Sequence, residues 1–284
     1  MNVLGGFHAS AQFLFDILGL VKGLAIRKYS IPTKEVGCQL LLFRQLQVTP
    51  CTDSLVLSRA YNGTPSQRAA VKLPLWDDPI STEGDKMVIS YSKLVQRMEA
   101  GVVEVLDLKD GEEKKWVEIL GFQTATPLSD FRSGNVLSLI LTVLLLELHP
   151  NIVKEFVKTS LPYALCSIHC CVAVGEVLGL KKEKVEVLVS QKSYWKLFSN
   201  PMAILHLHKA AMTFALRIYS SEKRSLLFDF EPILLKVKTA IIDCLEGCDS
   251  VETFEERVGL HEMELIKTTA LNKLKESKEG DAIV

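Results

Sequence analysis

Asn135 to Leu146 reads Asn-Val-Leu-Ser-Leu-Ile-Leu-Thr-Val-Leu-Leu-Leu, with no charge and with apolar residues on every side of the helix it would form. A helix that is apolar all round has no face to give to water, so other elements or lipid must wrap it. The whole uncharged run, Ser133 to Leu146, is shorter than the roughly 20 residues a bilayer helix needs. A second uncharged run, Thr159 to Gly175, contains Pro162, His169 and three cysteines and is interrupted by Glu176. Both are expected to be core helices of a protein that buries them in itself.

The remaining chain supplies the wrapping. Ser90 to Val103, Asn151 to Thr159, Tyr163 to Leu178, Pro201 to Tyr219 and Phe230 to Cys244 are all long enough for helices. Val102 to Leu108 is open to a strand reading as well. Strand–helix alternation and regularly spaced short strands are both missing, which predicts an all-α fold: a compact multi-helix bundle around a central apolar helix. Three regions separate by composition. Residues 1–84 form an N-terminal extension, helical at first, with a break expected at Ile31-Pro32-Thr33 and an irregular linker rich in proline and turn residues, where a short helix fits from Ser66 to Leu75. Residues 85–250 hold the main domain, and 251–284 a C-terminal helix with a charged tail, Lys273 to Val284, expected to fray.

Charge and cysteine usage exclude some functions. With 33 Lys+Arg against 34 Asp+Glu the formal net charge is -1, so no basic field exists to neutralise a nucleic-acid backbone. Seven cysteines, odd in number and irregular in spacing, do not form a secreted disulfide framework; they point to a reducing, cytoplasmic setting. No Lys or Arg precedes Lys22 and Asp16 interrupts the first apolar stretch, so no cleaved leader is expected. Within residues 9–28, Phe13, Leu14, Ile17, Leu18, Val21 and Leu24 recur at helical spacing with Lys22, Arg27 and Lys28 close by. Such a stripe suits packing on the main domain, and peripheral membrane contact is the other reading.

Two chemical constellations were weighed. Cys166 with Cys170 and Cys244 with Cys248 are i,i+4 pairs, the raw material of a tetrahedral zinc site, but buried free cysteine is an ordinary small hydrophobe. No metal or cofactor is expected in this chain. A Cys170–His208 nucleophilic pair has no flanking motif to support it. Neither a phosphate-cradling glycine loop nor a His-Glu-x-x-His helix is present.

The informative stretch runs from Trp116-Val-Glu-Ile-Leu-Gly-Phe-Gln123 through Pro127-Leu-Ser-Asp-Phe-Arg132 into the apolar helix. Pro127 with Ser129 or Asp130 is a helix-start signal, either side chain being able to cap the next turn. Arg132 is then expected on the first turn of that helix. A cation is disfavoured beside a positive helix N-terminus, so a compensating partner is required, with Asp130 nearest.

These residues resemble the signature of the ELMO-domain-containing family, in which a tryptophan precedes Gly-Phe-Gln, a proline follows, and Asp-Phe-Arg opens a hydrophobic helix. The similarity extends through Tyr163 to Leu180, Ser193-Tyr-Trp-Lys-Leu-Phe198 and Ala210 to Leu245, and covers Met87 to Cys248. A weaker likeness lies upstream, in Arg59-Ala-Tyr-Asn62 to Leu75-Trp76.

The resemblance implies an ELMO-domain bundle and a GTPase-activating regulator of Arf-family small GTPases, with Arg132 supplied in trans as an arginine finger. GTP and magnesium would then be bound by the partner GTPase. Asp130 would orient the guanidinium, Gln123 would add a polar contact, and Trp116, Phe122 and Phe131 would hold the loop by burial. The family also includes scaffolds without this arginine, which implies the second reading: a non-catalytic interaction protein in a GTPase-signalling, cytoskeletal or ciliary assembly. One departure bears on the site. The family's Gly-x-Gly after the arginine is here Ser133-Gly134-Asn135, and if those glycines admit a GTPase backbone, Ser133 and Asn135 obstruct it.

Overall fold

The computed structural model of the chain describes residues 43–44, 46–47, 51, 54–58, 80–83, 86–109, 115–180, 193–200, 202–222 and 226–281. The stripe in residues 9–28, the break at Ile31-Pro32-Thr33 and the helix expected from Ser66 to Leu75 lie outside them.

The architecture is helical, as the sequence predicts, with one addition ahead of the bundle. Strands β1 (Ser54–Ser58), β2 (Ile80–Glu83) and β3 (Lys86–Ser90) form an antiparallel sheet of order β1-β3-β2. In its register Glu83 pairs with Lys86, and only Gly84-Asp85 separates them in sequence, a dipeptide of the kind tight hairpins use. Turn residues dominate the composition of this region and mask strands of four and five residues from a periodicity reading.

β3 runs straight into α1 (Tyr91–Leu106), whose N-cap is Ser90: its hydroxyl accepts the Lys93 N–H at 3.4 Å. Tyr91, Leu94, Met98 and Val102 are buried along one face. That face decides the Val102 to Leu108 question in favour of helix, because Val102 completes an i,i+4 series with Leu94 and Met98. The helix then stops at Asp107, whose φ of 51° is left-handed.

After α2 (Trp116–Ile119) and a 3-10 helix (Pro127–Arg132) comes α3 (Asn135–Leu148), in which every residue over 136–146 is buried. α3 packs against α1, α4 (Pro150–Val157), α5 (Tyr163–Val177), α6 (Ala203–Glu222) and the 3-10 helix. Burial of each Leu, Ile or Val favours folding by about 1.5–3 kcal/mol, so exposing three or four of them would rival the whole stability of a typical domain, about 5–15 kcal/mol. Among the described residues no single helix is long and apolar enough to cross a membrane; α3 and α4 pass such a test only together, and they are bent by 98° where Pro150 starts α4.

Inside this core, polar side chains of α3, α5 and α6 are joined. Thr142 Oγ1 donates to the Ser138 carbonyl (2.7 Å) and lies 2.7 Å from Ser167 Oγ, while His208 Nε2 sits 3.0 Å from the Ser167 carbonyl and Tyr163 donates to the Thr142 carbonyl (3.0 Å). α3, α5 and α6 are thereby stitched together. His208 pairs with Ser167 and not with Cys170. The Cys170 thiol is instead held well above its ordinary pKa by its contact with Cys166 and by burial, the opposite of an activated nucleophile.

A second 3-10 helix (Ser193–Ser199) leads to α6, α7 (Leu226–Leu245) and α8 (Val251–Asp281), the last lying along α6. Arg217 on α6 donates to Glu155 (2.6 Å) and Glu262 (2.8 Å), and Lys209 to Glu255 (2.8 Å). The stretch expected to fray is helical as far as Asp281, consistent with its strong helix formers Lys, Glu and Leu.

Candidate functional site

The site is a loop held from below by aromatic rings and from within by one carboxylate. Trp116 meets Phe122 edge-on at 5.8 Å between ring centroids, and Phe122 meets Phe131 at 5.9 Å. Trp116 and Phe131 are buried and Phe122 is half-buried. Aromatic pairs in this geometry add about 0.5–1.5 kcal/mol beyond the area they bury. The chain between Trp116 and Phe122 turns at Gly121, whose φ is +73° and where a Cβ would stand 2.4 Å from Pro162 Cβ. Only glycine fits there. The Ala164 N–H donates to the Leu120 carbonyl (2.8 Å), which ties the same turn to the start of α5.

Asp130 organises residues 121–130. Its Oδ2 accepts the Gln123 backbone N–H at 2.6 Å, and its Oδ1 lies 3.4 Å from Thr124 Oγ1 and 3.5 Å from Ser129 Oγ. Thr124 Oγ1 and Ser129 Oγ are 2.6 Å apart, each 2.8 Å from the Thr126 carbonyl. The carboxylate thus serves the loop behind it and caps nothing ahead: α3 begins at Gly134 with no side-chain cap. Asp130 does not orient the arginine, contrary to expectation. Nor does Arg132 stand on the first turn of α3; it is the last residue of the 3-10 helix Pro127–Arg132.

That placement removes the expected need for a charge partner. Arg132 is exposed, its hydrogen bond runs from Nη1 to the Ser129 carbonyl at 3.4 Å, and no ion pair joins it to another described residue. Arg132 lines a cleft of about 60 Å³ together with Gln123, Asp130, Ser133, Leu165, Ile168 and His169. Gln123 is exposed at this cleft, as a polar contact beside the arginine would have to be.

His169 is the member that sequence reasoning missed. Its ring stands edge-on to Phe230 at 5.2 Å, and burial lowers its pKa against a smaller raising effect of Glu231. Its meeting with Arg132 depends on how α5 packs against the loop.

The tripeptide after the arginine also has a physical account. Ser133 has an ordinary φ of -83°. At Gly134 a Cβ would lie 2.6 Å from Ser138 Cβ and 3.4 Å from the Ile168 carbonyl, so this position requires glycine for close approach. Asn135 takes a left-handed φ of 51°, a conformation that asparagine adopts more readily than most residues after glycine. Among the described residues no group of three or more His, Cys, Asp and Glu side chains is arranged to hold a metal ion.

No curated protein and no solved structure matches this chain. The sequence model of the ELMO/CED-12 family does match, over residues 81–234, from β2 to the middle of α7, slightly more than half of the chain. That span contains the aromatic stack, the Asp130 loop, Arg132 and the apolar helix behind them, and the chain belongs to the ELMO/CED-12 family.

Proposed function

We propose that this protein is a GTPase-activating regulator of Arf-family small GTPases and that Arg132 acts in trans on the nucleotide of the partner. Membership of the ELMO/CED-12 family links the chain to small-GTPase signalling in general. The observation that carries the finer reading is the exposure of Arg132 beside the cleft, on a loop whose carboxylate is occupied elsewhere. In phosphoryl transfer the γ-phosphoryl oxygens and the leaving oxygen gather negative charge, and an arginine delivered from outside accelerates the reaction by about 10³ to 10⁵. That is about 4 to 7 kcal/mol of transition-state stabilisation. GTP and magnesium belong to the partner, so this chain contributes the guanidinium and a rigid mount for it.

The test is single-turnover GTP hydrolysis by a panel of Arf-family GTPases with the wild-type protein, Arg132→Ala and Arg132→Lys. Stimulation by the wild type and its loss in both variants is expected, because lysine lacks the planar donor fork of arginine. Absence of stimulation at saturating protein refutes the regulator and favours the scaffold, whose partner is then sought by pull-down. Peripheral membrane contact through residues 9–28 belongs to the same proposal, since it would bring the arginine to membrane-bound partners; flotation with anionic vesicles tests it.

A further inference from the structure

The helical residues Phe43, Arg44, Leu46 and Gln47 come from the N-terminal extension, yet they reach into the bundle, where Gln47 meets Asn135 and Gly175. Phe43 packs on Phe198 at 6.3 Å between centroids, and Phe43 and Leu46 are buried in the main core. Asn135 Nδ2 donates to the Gln47 backbone carbonyl at 2.7 Å. The Gln47 side chain is 1% exposed and lies against α5 at Gly175, where a Cβ would come 2.0 Å from its Nε2 and 2.7 Å from its Cδ.

We propose that the segment carrying Gln47 is part of the arginine site: through the Gln47–Asn135 hydrogen bond it sets the position of Arg132, so that its docking and release regulate how the arginine is presented. The proposal rests on the reading of Arg132 as the group offered to a partner's nucleotide. Asn135 is three residues from Arg132, and the intervening Gly134 is so enclosed that a Cβ there would meet Ser138 and the Ile168 carbonyl, which leaves the link between them little slack. Movement of Asn135 is therefore transmitted to the loop. Asn135 is itself held in a left-handed conformation, with the Gln47 carbonyl accepting its side-chain N–H. The hold is releasable for a physical reason. Both polar atoms of the Gln47 amide are enclosed without a hydrogen-bond partner among the described residues, and a desolvated amide with no partner opposes burial. The segment is thus seated by shape, by the burial of Phe43 and Leu46 and by the bond to Asn135, against a penalty that the Gln47 side chain supplies.

Two variants approach this contact from opposite walls. Asn135→Asp keeps the side chain's size and a residue type that tolerates the positive φ, and replaces the donor by an acceptor that the Gln47 carbonyl repels. Gly175→Ala leaves Asn135 intact, suits the α5 helix and drives the Gln47 amide from its seat. In the full-length protein, amide hydrogen exchange is expected to quicken in both variants at residues 43–47 and, together with it, at residues 131–137, while the centre of α6 keeps its protection. Stimulated GTP hydrolysis is expected to lose kcat on the order of tenfold to a hundredfold, the scale of a misplaced reacting group, with KM for the GTPase unchanged. Faster exchange at 43–47 with an unaltered loop overturns the coupling, and unaltered exchange at both overturns the clasp. A shift in KM alone overturns the positioning role. If the wild type stimulates no GTPase, the Arg132 reading fails, and the exchange measurement still decides whether the clasp exists.

Discussion

Asp130 shows how one side chain decides what another is free to do. By accepting the Gln123 N–H at 2.6 Å and standing beside Thr124 and Ser129, it closes the loop on itself and leaves Arg132 without a carboxylate. Asp130→Ala is expected to destabilise the protein by about 1–3 kcal/mol in urea denaturation, the cost of losing hydrogen bonds to a buried charged acceptor. Stimulated hydrolysis should fall as well, because the arginine then stands on a loosened loop. The pair most legible in the sequence, Asp130 with Arg132, is the one the structure does not form. Two residues apart on a 3-10 helix, they differ in exposure, the aspartate buried with its loop and the arginine in solvent.

At the scale of elements, the bundle relies on few polar links between long helices. Arg217 joins α6 to α4 through Glu155 and to α8 through Glu262; burial, the largest single influence, lowers its pKa, and the hydrogen bonds and charges of the two glutamates together outweigh it and raise the pKa. The groups are partly solvated, so Arg217→Ala is expected to cost only about 1 kcal/mol globally. Its local effect should be larger: exchange along α8 over residues 255–265 quickens while α3 is unaffected, which mass spectrometry resolves by segment. The long helices were evident from composition and period, whereas four-residue α2 and the two 3-10 helices were not. The strands were not, because β2 with four residues and β1 with five lie among prolines and turn residues and their pairing is non-local.

For the whole molecule the histidines set the response to acid. Burial holds His208 down at about 4, and His149 is lowered to about 4 chiefly by burial, with Lys209 and His206 adding to it. In the unfolded chain such groups titrate near 6.5. Between pH 6.5 and 4 the unfolded state therefore binds more protons than the folded one, and stability falls as the pH falls. His208, fully enclosed, accounts for about 3 kcal/mol over that window, and half-buried His149 for less. Denaturation midpoints measured from pH 7 to pH 4.5 should decline, and His208→Gln, which does not titrate, should flatten the slope.

What the sequence determined by itself was local or one-dimensional. The all-round apolar stretch demanded a wrapped helix, and α3 is that helix. The Trp116 to Arg132 pattern carried the family resemblance, and burial of Trp116 and Phe131 follows from aromatic residues flanking a turn. Only the tertiary structure decided which groups meet across the chain: His169 at the cleft of Arg132, His208 with Ser167, and Gln47 with Asn135. These contacts join residues from different helices, or from the extension and the bundle. The packing of whole faces selects them, and the spacing of residues along one segment carries no record of which face another helix will cover.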